Sequence, residues 1–342
     1  VLDEEIILKT FRRVGIGRNP DLELTRLLTT EGFENLPPHV GEITYEAEDD
    51  GELYVIDLGL AQQFVPDATE GWTNALTRLK ELYTAVDDAD VNEDIPYLIE
   101  ERAEGLLGEI ESLGDATALL HVTLGREQAD PELAPEAIQP FDLDSWAASA
   151  NASLLNVAEA DLPELRALVA GIESRIENVK AVEQPGMKTR VHGDYHLGQV
   201  LHSTKGWMIL DFEGEPARTL EERRAKHSPL KDVAGMLRSI GYAATAALFE
   251  KAGDDPAEWK RLEPWALAWE RMARERFLRG YLARSHEGTF LPPDRDSQTA
   301  LLDFFEIDKA LYELGYELSH RPDWVHIPLR GIRQVIERGE SS

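Results

Sequence analysis

The run Val191-His192-Gly193-Asp194-Tyr195-His196-Leu197-Gly198-Gln199-Val200-Leu201, continued by Gly206-Trp207-Met208-Ile209-Leu210-Asp211-Phe212-Glu213-Gly214-Glu215-Pro216, constrains this chain more than any other stretch. Short apolar runs bounded by turn formers predict a short strand, a polar loop, a second strand, a tight turn and a third strand with an acidic ending. A hairpin there folds the loop back beside the strand end, where the side-chain oxygens of Asp194, Gln199 and Asp211 can converge. A carboxylate to accept a hydroxyl proton, with hard oxygen ligands for Mg²⁺, is what phosphoryl transfer from ATP requires. Asp and Gly are also ordinary turn residues, so His-Gly-Asp alone would indicate only a solvated acidic hairpin. The complete set with its flanking strands favours the catalytic reading, with Asp194 as base and Gln199 and Asp211 as metal ligands.

Protein kinases use an Asp, an Asn a few residues on and an Asp at the end of the next strand in that order. Here Gln199 stands where Asn is usual, keeping the amide oxygen on a longer arm. The same run, with Asp211 to Arg218 and Ser228-Pro229-Leu230-Lys231-Asp232-Val233-Ala234-Gly235-Met236-Leu237-Arg238-Ser239, resembles the maltokinases, sugar kinases of the aminoglycoside-phosphotransferase-like branch. The resemblance implies an α+β, protein-kinase-like fold: a small β-rich lobe over 1–66 and a large, mainly helical lobe over 67–342. It implies ATP-dependent phosphorylation of maltose to maltose 1-phosphate, with ATP and Mg²⁺ as cofactors and a trehalose synthase as partner or fusion. A kinase of another sugar such as glucosamine is the alternative enzyme. A non-catalytic kinase-like module is the alternative of a different class.

Glu5 to Phe11 reads as a buried strand carrying one lysine, Lys9. A helix follows, with Asn19 as N-cap, Pro20 in the first turn and Glu23 as the partner expected for Lys9. The resemblance raises this pair above a solvated strand lysine and gives Lys9 the nucleotide phosphates. His39 to Ala47 and Glu52 to Val65 alternate as two strands joined by a turn at 48–51. The second runs into Gln63, Phe64 and Val65, read as the connector whose backbone bonds adenine, or more blandly as an edge strand stopped by Pro66. Only eight residues precede Lys9, and Val14-Gly15-Ile16-Gly17 follows it as a turn. A phosphate-cradling glycine loop and the family's amino-terminal cap region are therefore expected to be lacking from a trimmed chain.

Beyond Asp67 helical periodicity dominates: 72–86, 95–114, 116–124, 146–158 and 162–182, with 130–144 as a proline-bearing loop. His121 lies on an apolar stripe and reads as a satisfied core histidine, while His192 and His196 should brace the catalytic loop. Ser228-Pro229 should start a helix; similarity to related kinases, in which a buried helix Asp does so, implies that Asp232 holds that loop's backbone, the blander reading being dipole compensation at the helix start. Near the carboxyl end Lys309, Tyr312, Glu313 and Tyr316 share one helix face, followed by Trp324. Such a stripe is usually core, but tyrosines interleaved with charge also suit sugars. The resemblance makes this block a sugar site, so His192, Glu213, Lys309, Tyr312, Tyr316 and Trp324 form the expected acceptor set.

Sixty-five acidic against thirty-five basic residues give a formal charge of −30. Such a surface repels nucleic acid and anionic membranes, so neither is an expected partner. A halophilic source is the favoured reading of that charge. The chain has no Cys, which excludes disulfides and thiolate metal sites. No apolar run has membrane-spanning length, and a cytoplasmic protein is the default expectation.

Overall fold

Period-two patterning early in the chain yields β1 (Ile6–Thr10), β2 (His39–Asp49) and β3 (Glu52–Gln63), with helix α1 (Pro20–Thr30) after β1. The computed structural model describes residues 1–49, 52–86 and 94–338; the expected turn at 48–51 includes two residues outside that range. The strands form one antiparallel sheet in the order β1-β3-β2, with Lys9 opposite Leu60. β1 is not the buried strand its composition suggests: Ile7 and Leu8 are 40% and 41% exposed. A three-stranded sheet over a small cluster of Phe11, Leu22 and Leu60 has too little cover for both faces. Helix α1 begins as expected, the Asn19 side chain accepting from the Asp21 N–H at 2.9 Å ahead of a first-turn proline. Its Leu22 faces the small cluster, whereas Leu24 and Leu28 join Phe33 and Leu36 in the main core. One helix therefore pins the sheet to the rest of the molecule.

The remainder runs β4 (Thr69–Glu70), α2 (Gly71–Ala85), α3 (Ile95–Leu124), β5 (Glu136–Ala137), α4 (Pro140–Ala158), α5 (Pro163–Lys180), β6 (Met187–Lys188), β7 (Val200–Ser203), β8 (Gly206–Ile209), α6 (Leu220–Arg224), α7 (Leu230–Ala252), α8 (Pro256–Ser285), α9 (Arg295–His320) and α10 (His326–Arg338). The class is α+β, as expected. Two expected breaks did not form. Helix α3 passes straight through Gly114, because a Cβ there would lie 2.1 Å from the Phe277 carbonyl oxygen. That glycine lets α3 and α8 meet backbone to backbone and does not end a helix. Helix α4 starts at Pro140, inside the expected loop, with Asp142 Oδ2 accepting from the Gln139 N–H at 2.8 Å and the Asp142 N–H donating to the Gln139 carbonyl at 2.9 Å. A proline at the first helical position is a start signal when a capping pair accompanies it. Helix α7 is buried along most of its length and forms the axis of the helical body. Among the described residues no helix is long and apolar enough to cross a membrane.

Candidate active site

The β7–β8 hairpin pairs Val200 with Ile209, and the Leu210 N–H reaches the Gln199 carbonyl at 2.9 Å. Positions 194 and 211, distant in sequence, are thereby drawn toward one another, as the spacing predicted. Gly193 (φ +84°) and Gly214 (φ +72°) meet where the two acidic loops approach: a Cβ on Gly193 would stand 3.3 Å from the Gly214 Cα. Asp211 itself holds φ +62°, a left-handed backbone that Asp tolerates better than most residues. Strain of this kind persists only where surroundings over-determine it. Here the Phe212 N–H donates to Asp21 Oδ1 at 2.9 Å, which locks the turn.

Residues 191–196 do not form the expected short strand; their backbone is held by a side chain instead. Buried Asp232 accepts from the His192 N–H at 2.8 Å and the Gly193 N–H at 3.0 Å. Its third partner is His121 Nε2 at 3.2 Å, and His121 Nδ1 meets the Tyr281 hydroxyl at 2.9 Å. Burial alone would raise the Asp232 pKa, but His121 and these backbone donors outweigh it and hold the carboxyl below its usual range. Both expectations, Asp232 as loop holder and His121 as a satisfied core histidine, agree with this geometry. His192 closes the brace, its Nε2 meeting the Leu210 carbonyl at 2.8 Å. It is buried and touches neither acceptor cavity described below, so its place in the acceptor set is withdrawn. His196 Nδ1 accepts from the Gly198 N–H at 3.0 Å, leaving Nε2 4.0 Å from Asp194 Oδ2. Burial lowers the His196 pKa, against the pull of Asp194, and favours the neutral ring.

Lys9 sits in a carboxylate cluster, 2.6 Å from Asp211 Oδ1, 2.6 Å from Glu213 Oε1 and 2.9 Å from Asp21 Oδ2. Burial works against its ammonium, but Asp21 and Asp211 override it and raise the pKa. The expected Lys9–Glu23 pair is not formed. Positions 21 and 23 are roughly 200° apart around a helix, so only one can face the strand. Asp21 does, and Glu23 pairs with Arg190 and Arg224 on the other side. Glu213, expected at the acceptor, belongs to this cluster. Ligand atoms of Asp21, Asp211 and Glu213 all lie within 4.8 Å of one another, a hard-oxygen set of the kind Mg²⁺ takes. Gln199 enters through its backbone carbonyl; among the described residues no hydrogen bond joins its side chain to the cluster. At the connector, the Gln63 N–H already serves the Pro38 carbonyl and the Phe64 N–H the Glu5 carbonyl, at 3.0 and 2.7 Å. Of the three expected adenine contacts, only Val65 has a backbone N–H not engaged by another described residue.

On the other side of Asp194 stands α9. Lys309 lies 3.3 Å from Asp194 Oδ1 and 3.1 Å from Glu215 Oε1. Burial opposes its charge, Asp194 and Glu215 more than restore it, and the pKa is raised. Asp194, Lys309 and Tyr312 line a narrow throat of about 40 Å³. This opens, past Lys309 and Tyr312, into a cleft of about 410 Å³ lined also by Trp72, Tyr242, Tyr316 and Trp324. The expected helix face is therefore a cavity wall; Tyr312 and Tyr316 are 43% and 45% exposed. Trp324 is the floor, stacked on Phe249 at 5.5 Å and capped by the Arg321 guanidinium at 4.8 Å. Glu313 also lines the cleft and pairs with Arg238 at 2.7 Å. Trp72 and Tyr242 were not singled out from sequence; they come from α2 and α7, and nothing in their local patterns marks a shared cavity, whereas Arg321 caps the end of α9 within the same carboxyl-terminal block.

Against protein families, residues 81–286 match the Phosphotransferase enzyme family. The chain belongs to that family. The match contains the Asp194 loop, the hairpin, Asp211 and Asp232. The phosphotransferase is 26% identical to a glucosamine kinase of Mycolicibacterium smegmatis, over its whole length and 78% of that protein. It is 25% identical to a glucosamine kinase of Streptacidiphilus jiangxiensis, over 91% of this chain and 64% of that protein, so it spans less than two thirds of that relative. A solved glucosamine kinase in complex with glucosamine, ADP and inorganic phosphate superposes with a TM-score of 0.76 at 22% identity, over 98% of this chain and 73% of that one. A second crystal form of a glucosamine kinase gives the same TM-score over 74% of its chain. At that identity the likeness is one of fold: the kinase-like α+β architecture expected from sequence.

Proposed function

We propose that this phosphotransferase moves the γ-phosphoryl group of ATP onto a hydroxyl of an amino sugar of the glucosamine type. The observation that carries the reading is the position of Asp194, at the throat that leads to an aromatic-lined cleft and in a loop whose Gly193 meets Gly214 of the acidic loop that holds Lys9. Both named relatives being glucosamine kinases supports the choice of acceptor. Asp194 would orient the attacking hydroxyl and take its proton; Lys9 would hold phosphate oxygens, and Val65 would meet the adenine edge. Asp211 and Glu213, with Asp21 behind them, would hold Mg²⁺, and Gln199 would lie beside them. Bound there, the ion supplies charge neutralisation for the phosphate oxygens. Residues 1–66 and 67–342 would form the two lobes, with α1 as the tether between them.

Maltose is the second reading, favoured by the length of the aromatic wall from Tyr312 to Trp324, which offers stacking to more than one ring. A trehalose synthase partner would follow only from that reading. An ADP-release assay with glucosamine, glucose and maltose, with and without Mg²⁺, tests the proposal. The expected result is sugar-dependent turnover greatest with glucosamine. Turnover greatest with maltose would exchange the two readings, and no sugar-dependent release above background would leave a non-catalytic kinase-like module.

A further inference from the structure

The face of α9 that walls the throat carries Phe305, Asp308, Lys309 and Tyr312, at i, i+3, i+4 and i+7. Three of these are accounted for as core contact, Asp194 partner and cleft wall. Asp308 is not. Its side chain lines both the throat beside Asp194 and an adjoining chamber of about 310 Å³ that holds Trp146, Arg218, His227 and Lys231. Among the described residues it makes no hydrogen bond and no ion pair. The neighbouring carboxylate differs: Glu215 is held by Lys309 at 3.1 Å and Arg218 at 3.3 Å. Lys231 lines the same two cavities, its side chain likewise without a hydrogen bond or ion pair to a described residue.

A carboxylate withdrawn from bulk water and left unpaired is costly, and such groups in cavities are satisfied by what enters them. Burial raises the Asp308 pKa and Glu215 pushes it further, with Lys231, Arg218 and Lys309 pulling the other way from beyond ion-pair distance; among the described residues none of them pairs with it. A cation of the right size, delivered with hydroxyls for Lys231, would complete the site.

We infer that Asp308 receives the ammonium group of an amino-sugar acceptor and is the residue that selects it over the neutral sugar. The inference rests on the proposed amino-sugar kinase reading and names the group that would make the choice. Asp308 takes no part in bond making. The ammonium bound to it fixes one edge of the ring, so that a hydroxyl elsewhere on the ring faces Asp194. Lys231 would then serve a ring hydroxyl as donor.

The test compares wild type with Asp308→Asn, which keeps the shape and removes the charge, and with Asp308→Ala. Affinities for glucosamine and glucose are measured by calorimetry, and kcat/KM for both sugars by ADP release. A charge-assisted hydrogen bond in a sheltered site accounts for ~10–100-fold in glucosamine binding and kcat/KM on removal. Glucose parameters should change by less than about threefold, since glucose has no ammonium to lose. Melting temperatures of both variants should equal or exceed that of wild type, because an unpaired carboxylate has been removed. Equal losses on both sugars, or no loss on glucosamine, would overturn the inference. Binding separates the two claims: a wild type that binds glucosamine in an Asp308-dependent way without turning it over refutes the kinase reading and leaves this one standing. A wild type that binds glucosamine no better than glucose refutes this one, whatever its turnover.

Discussion

Replacing Lys309 by Met should separate the structural from the positioning work of α9. The ammonium lies 3.3 Å from Asp194 and 3.1 Å from Glu215. At an effective dielectric of about 20, each such pair is worth ~5 kcal/mol before desolvation is charged against it. Lys309 and Asp194 are each 22% exposed and Glu215 is 8% exposed, so most of the gross term is returned to solvent. A net loss of ~2–3 kcal/mol of folding stability remains, at the lower end of what breaking a buried pair costs. Glu215 should carry more of that loss than Asp194, being the more deeply buried. The double variant Lys309→Met/Glu215→Gln should therefore regain roughly half of it, since a neutral amide needs no counter-ion. Activity should not return with stability, because Asp194 still lacks the group that fixes its orientation.

The sign of the pH dependence follows from the shifts. Lys309 has a raised folded pKa, so its contribution is complete below the ordinary lysine value and is lost only as pH climbs through the higher folded one. Glu215 is pushed up by burial but drawn down further by Lys309, so its contribution is present above the ordinary glutamate value and fades in acid. Between about pH 6 and 9 the gap between wild type and Lys309→Met should thus be flat. Urea denaturation across that range, alongside ADP-release kinetics, reads both quantities. A Lys309→Met loss below ~1 kcal/mol, the scale of an exposed pair, would refute the argument. So would a double variant no more stable than the single one.

Three further outcomes are expected. Asp194→Asn should leave calorimetric Mg-ATP affinity nearly unchanged and lower turnover by ~10²–10⁴, the scale of general-base assistance; parental turnover would remove Asp194 from that role. Asp303 is 8% exposed, and burial with Glu306 nearby pushes its carboxyl up to about 6 despite Arg338 and Arg175. Its folded form holds a proton that the unfolded chain releases, so stability falls as pH rises from about 4 to 6, and Asp303→Asn should gain up to ~3 kcal/mol relative to wild type over that span; equal pH profiles in urea melts would show that Arg175 and Arg338 already keep it charged. Molar KCl should raise the melting temperature, because a formal charge of −30 repels itself and salt shortens the Debye length to about 3 Å at 1 M. A falling melting temperature would mean that ion pairs such as those of Arg276 with Glu104 and Glu111 matter more than net charge.

Local sequence determined what short-range physics controls. The hairpin that turns Gln199 back to Leu210 is written in apolar runs and turn formers of period two, and it formed as read. So did the Asn19-capped start of α1 and the α9 face of Lys309, Tyr312 and Tyr316, each set by helix geometry over one or two turns. Asp194 and Asp211 could be expected near one another because their spacing within one compact segment already implied convergence, whereas Asp232 came from likeness to related kinases. Partner choice across long sequence separations was decided only in the folded molecule. Asp21 and Glu23 are both acidic and both in the first turn of α1, and only the docking angle of that helix turns Asp21 toward Lys9 and Glu23 toward Arg190. Gly114 read as a breaker because propensity is local, whereas the α3–α8 contact that overrules it is not; the Gln139–Asp142 cap before Pro140 is local and was legible in the sequence. Burial followed the same division: β1 has the composition of a core strand, but whether an apolar strand is covered depends on what packs over it. The lack of a hydrogen bond or ion pair to Asp308 among the described residues belongs with these, since it exists only once every neighbour has its place.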